Sequence, residues 1–119
     1  MSGITLFAVD PSGDTFEGVN LAKSYLSGRA DGINFAQANL GSATLSDLTI
    51  TTADFTDAIL NRSFLPDLRA VVKEKKVVFK GADWWNACML DNDTQIYDHP
   101  SWLDHYFPRK DRKLDSFQC

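Results

Sequence analysis

Residues 33–60, INFAQANLGSATLSDLTITTADFTDAIL, place a large apolar residue at every fifth position: Phe35, Leu40, Leu45, Ile50, Phe55 and Leu60. Two positions before these stand Ile33, Ala38, Ala43, Leu48, Ala53 and Ala58, so four of the six are alanine. A helix repeats its apolar face about every 3.6 residues and a strand every 2, so neither explains a period of five. A fixed short period marks a solenoid, in which each coil buries its apolar face against the next.

The period runs outward to Phe16, Leu21 and Leu26, with Leu6 as a candidate earlier member, and returns downstream as Phe79, Trp84 and Met89. If four steps of five close one turn, residues 20 apart share a face, as Phe35 and Phe55, Leu40 and Leu60, and Leu45 and Leu65 do. One turn earlier the spacing is 19 on all three faces, and one turn later it is 24 on all three. Three ladders result: Phe16, Phe35, Phe55, Phe79; Leu21, Leu40, Leu60, Trp84; and Leu26, Leu45, Leu65, Met89. Both length changes are assigned to a fourth face, which carries Ala30 or Asp31, then Ile50, then the irregular segment 66–76. Coils should stack at the strand-pairing distance of about 4.8 Å. The alanines fit corners of the interior too tight for a larger group.

The segments FAQANL, SATL, TADF and TDAIL resemble the A(D/N)LXX units of the pentapeptide-repeat proteins, over about residues 14–65 and again 77–91. The resemblance implies an all-β chain folded as a right-handed quadrilateral β-helix with type II or IV turns at its corners. It also implies a bacterial protein. The pattern departs from the family at Asp31–Gly32, where the register is expected to slip, and at 66–76. The expected organisation is a β-helix over 1–91, interrupted by a loop or helix excursion at 66–76, and a short helical cap with a tail over 92–119. In the excursion, Asn61 or Ser63 could cap a helix that Pro66 opens.

Net charge is −4, against the excess of lysine and arginine that non-specific nucleic-acid or membrane binding needs. Charge is uneven: residues 14–60 carry two basic and six acidic groups, a net −4, and residues 61–81 carry six and two, a net +4. No apolar run is long enough to span a membrane, and the start MSGITLFAVDPSG lacks a basic region and a long apolar stretch. These features give a cytoplasmic expectation. They also make Cys88 and Cys119 free thiols most simply, with a Cys88–Cys119 disulfide as the other option. His99 and His105 each follow an aspartate but lie six apart, off a common helix face, and Asp91-Asn92-Asp93 lacks the glycine and glutamate of a calcium loop.

No acid–base, nucleophile or metal-ligating constellation stands out, so the expected function is non-enzymatic, with no cofactor and no metal. The expectation is a rigid protein–protein interaction module whose partner-facing residues are Lys73, Lys75, Lys76 and the outward Trp85. The partner is expected to be a protein, with no direct nucleic-acid or membrane contact, and a homodimer through a solenoid end stays open. The resemblance supplies the alternative. Some pentapeptide-repeat proteins mimic the DNA rod and bind DNA gyrase, so the chain could inhibit or protect a DNA-processing enzyme. Here the repeats carry charge far more sparsely than DNA does.

The ladder assignment predicts that Phe35→Ala and Phe55→Ala each lower stability by about 3–5 kcal/mol. Thr52→Ala, on an outward position, should change it by less than about 0.5 kcal/mol. Thermal melts of the three variants decide this, and equal shifts for Phe55→Ala and Thr52→Ala would refute the ladders.

Overall fold

The structure, a computed structural model, describes residues 5–7, 15–91, 96–98 and 102–107. Among these, seven strands follow the chain: β1 (Thr5–Phe7), β2 (Tyr25–Asn34), β3 (Thr44–Asp54), β4 (Phe64–Leu65), β5 (Val77–Val78), β6 (Cys88–Asp91) and β7 (Ile96–Asp98). Helix α1 (Arg69–Lys73) lies between β4 and β5, and α2 (Leu103–Tyr106) follows β7. The sheet order is β1-β2-β3-β4-β6-β7, with β5 paired to β3. Every pairing is parallel except the last, β6 with β7. The chain is a parallel β-solenoid of about three turns.

The ladders stack as their spacing demands. The rings of Phe16, Phe35, Phe55 and Phe79 lie one above the next at 5.5, 5.3 and 4.9 Å, the last pair within 3° of parallel. Stacked rings at these centroid distances fall in the range that aromatic pairs favour, and the coil spacing repeats the contact at every turn. Leu21, Leu40, Leu60 and Trp84 form a second buried column, tied by bridges that pair Asn20, Asn39, Ile59 and Asp83 in turn. Leu26, Leu45, Leu65 and Met89 form a third, all buried. Leu6 of β1 pairs in register with Leu26. A fourth pairs Ala30 with Ile50.

The first two columns each end in a tight turn. In all eight cases the N–H three residues on bonds back to the ladder residue's carbonyl, from Val19 to Phe16 at 3.0 Å through Ala87 to Trp84 at 3.0 Å. The third residue of each turn has positive φ: Gly18, Lys23, Gln37, Ser42, Asp57, Arg62, Gly81 and Asn86. That is the signature of a type II turn. The second residue's N–H has no acceptor within such a turn, and the residue before the ladder position supplies one. Asn20, Asn34, Asn39, Asp54 and Asp83 accept from the N–H two residues on at 2.8–3.2 Å, and Thr15 does so through its hydroxyl. The third column is different. It carries Tyr25, Thr44, Phe64 and Cys88 at the equivalent position, because there the chain runs on as strand or extended backbone and needs β-formers instead.

Three features differ from the sequence expectation. The register slip is not at Asp31–Gly32: Tyr25 pairs with Thr44, 19 on, but Ser27 already pairs with Asp47, 20 on. Ser46 is the extra residue, while a local irregularity at Ala30–Ile33 restores itself. Cys88 is not a free thiol but takes part in a disulfide; the sequence has one other cysteine, Cys119, outside the described residues. The caps also differ. Helix α1 has Leu68 as its N-cap residue, with no side-chain capping bond, while Ser63 turns its hydroxyl to the Leu60 carbonyl at 2.7 Å.

Segment 66–76 does not hang off the core. Leu68 and Val72 are 1% and 2% exposed and belong to the same apolar cluster as the ladders. They supply apolar volume after Ile50, where the fourth column has no further strand. Arg69 fastens the segment outside, bonding Asp67 at 2.9 Å and Asp91 of β6 at 2.7 Å. These two carboxylates push its guanidinium pKa further up. After β7, Leu103 is fully buried and Phe107 sets its ring edge on Phe79 at 5.9 Å. We therefore expect Leu68→Ala and Val72→Ala each to destabilise by about 1–4 kcal/mol. Replacing 67–76 with a short turn should lower the melting temperature rather than leave the core intact. A melt of the deletion variant at the wild-type temperature would overturn the packing role.

Candidate partner-binding surface

The rule of an oxygen-bearing side chain before each tight turn has two exceptions. Of the eight positions, six carry Asn, Asp or Thr; the other two are Ile59 and Val78. Neither can accept a hydrogen bond through its side chain. Ile59 is also 44% exposed, one of two large apolar residues so exposed among those described. Its pairing partners on either side are Asn39 and Asp83, so an apolar group stands in a polar column.

Near Ile59 the next turn carries Arg62, whose guanidinium carbon lies 5.2 Å above the ring of Trp85. Trp85 is half-buried, and its backbone N–H is accepted by Asn61 of the coil above at 3.1 Å and by Asp83 at 3.2 Å. Trp84, by contrast, is 3% exposed and meets Phe79 edge-on at 6.1 Å. The inward and outward roles of the two tryptophans follow from the ladder position of the first. Ile59 thus directly precedes the turn that carries Arg62, and Arg62 packs on Trp85 of the next coil, on a backbone tied from coil to coil by hydrogen bonds.

The lysines lie on a different element. Lys73 ends α1, Lys75 follows with φ of 63°, and Lys76 precedes β5 while its carbonyl accepts from Ala53. All three are exposed, and Lys76 pairs with Glu74 at 2.9 Å, both about half exposed. Lys73, Lys75 and Lys76 therefore share one short segment, whereas Trp85 sits with Arg62 in the turn after the second ladder.

Two other polar sets are accounted for. On the side of the third column, Tyr25 donates to Asp47, which raises the phenol pKa, and Tyr97 donates to Ser46 at 2.8 Å while its ring meets Phe64 edge-on at 5.1 Å. Asp91 accepts from Arg69, and His105 is exposed beside Tyr106; His99, Asn92 and Asp93 fall outside the described residues. Among the described residues no three His, Cys, Asp or Glu side chains gather as a metal site, and no helix is long and apolar enough to cross a membrane.

Ile59 and Arg62 were missed by the sequence reasoning. The signal was present in TDAIL, where isoleucine takes the place of the Asn or Asp in the unit. Compared with known proteins, the chain matches no family model, no curated protein and no solved structure.

Ile59→Asn should restore the missing turn bond and raise stability by about 0.5–1 kcal/mol. Asn39→Ala, which removes an existing bond, should lower it by a similar amount. Opposite shifts in chemical-denaturation midpoints check the account; two decreases would refute it.

Proposed function

We propose that the chain is a pentapeptide-repeat solenoid, four-sided, with residues 96–107 as a lid on its last coil, and that it is a non-enzymatic protein-binding module. The carrying observation is exposed Ile59 in a column of Asn and Asp, together with the Arg62–Trp85 pair in the turns that follow that column. Tryptophan and arginine are the residue types most often found at binding hot spots. A rigid backbone lets them bind with little ordering cost. Exposing isoleucine where asparagine would stabilise the fold is a departure that folding alone does not favour. The lid reading is supported by buried Leu103 and by Phe107, which continues the phenylalanine column below Phe79.

Mimicry of DNA is the weaker reading. Its support is the net −4 of residues 14–60, but the net +4 of 61–81 breaks the acidic surface. Capture from a lysate of the native host, with wild-type chain, Ile59→Asn and Trp85→Ala as baits, tests the proposal. A partner bound by the wild type and reduced at least about ten-fold by either variant supports it. Capture that survives both variants, or a partner released steeply by salt in the manner of a DNA-binding enzyme, overturns it.

A further inference from the structure

The second exception among the turn-preceding positions, Val78, sits in a different chemical setting. Around β5 the side chains alternate: Val77 and Phe79 are fully buried, while Lys76 and Lys80 are exposed and Val78 is half-buried between them. Lys76 and Lys80 are exposed on either side of Val78, Lys76 just before β5 and Lys80 in the turn after Phe79, so cation, apolar and cation follow one another at the surface. Beside the row is an open cleft of about 370 Å³ lined by Val78, Lys80, Gly81, Tyr106 and Phe107. That volume is at the lower end of ligand sites. Tyr106 is 42% exposed at its mouth.

We infer that this row and cleft bind an extended acidic peptide of the pattern acid–x–apolar–x–acid. Its middle side chain would enter the cleft against Val78, and its two carboxylates would meet Lys76 and Lys80. The proposal deepens the protein-binding reading and rests on it. Three features select this occupant. Exposed Lys76 and Lys80 flank the half-buried Val78 in the sequence. The cleft wall is apolar, with lysine at its edge. The segment 61–81 carries the chain's positive excess. Glu74 already pairs with Lys76 at 2.9 Å in a half-exposed contact that a ligand carboxylate would have to displace, and further acidic groups bound the row on the side of the preceding coil. Asp54 pairs with Val78 there, its carboxylate held by the N–H and hydroxyl of Thr56 at 2.9 and 2.5 Å, and Asp57 lies against Gly81. The peptide therefore lies toward α2, away from them.

Fluorescence anisotropy of the full chain with labelled Gly-Asp-Ser-Phe-Ser-Asp-Gly tests this. Controls replace both Asp by Asn, or Phe by Ala, and a twenty-base-pair DNA duplex serves as a second polyanion. Expected is binding that weakens at least about five-fold with either altered peptide, and at least about ten-fold with Lys76→Glu/Lys80→Glu. Binding should also weaken about three-fold or more between low and moderate salt. Val78→Asn is the discriminating variant. It should raise the melting temperature by about 3 °C, through the restored turn bond, while weakening the peptide. Equal binding of acidic and neutral peptides, preference for the duplex, or undiminished binding by the double variant overturns the inference. So does a concentration-dependent dimer that the double variant abolishes, which would assign the row to a second copy. If the Ile59 side captures a partner while these peptides fail, the module reading stands and this inference falls.

Discussion

Parallel coils at strand-pairing distance place each residue over its counterpart one turn away, and every other feature of this fold answers to that. Like must stack on like, because a wrong residue in one rung disturbs two neighbours. Phenylalanine stacks on phenylalanine down four coils, so one aromatic contact is repeated at every turn. The columns tolerate a change of coil length only if all of them move together. The lengths 19, 20 and 24 do so because the added residues enter at Ser46 and at 66–76, beyond the third column.

The same constraint explains what was legible from sequence. A period of five with alanine two places earlier can be read without coordinates, and the three long columns came out as the spacing required. The site of the slip was not legible. Gly32 resembles a break, and it does have positive φ, but the irregularity around it cancels within three residues, whereas the lasting shift falls at Ser46, a residue with no local mark. Segment 66–76 was legible in part: Leu68, Val71 and Val72 at helical spacing mark a short helix there, while the depth to which Leu68 and Val72 pack into the core shows only in the structure.

The candidate surface was half legible. Trp85 is outward because Trp84 occupies a rung, and this follows from counting. The meaning of Ile59 and Val78 does not. It depends on knowing that a tight turn leaves one N–H to be satisfied by the preceding side chain, which the hydrogen bonds reveal. Once that is known, the asparagines and aspartates of the repeat cease to be generic surface polarity. They become turn-locking groups, and the two positions without them are where folding stability and surface chemistry diverge.

The strand β7 gives the molecule a polarity of a different kind. A parallel solenoid has no intrinsic length: each finished coil presents evenly spaced, slanted donors and acceptors that another parallel coil could accept. Here the final parallel strand, β6, is met by a strand running the other way, with Met89 opposite Asp98 and Asp91 opposite Ile96. The antiparallel strand occupies the edge of β6 that a further parallel coil would use. At this edge β6 is already paired within the chain, which takes the backbone groups of Met89–Asp91 that face β7 out of reach of another coil.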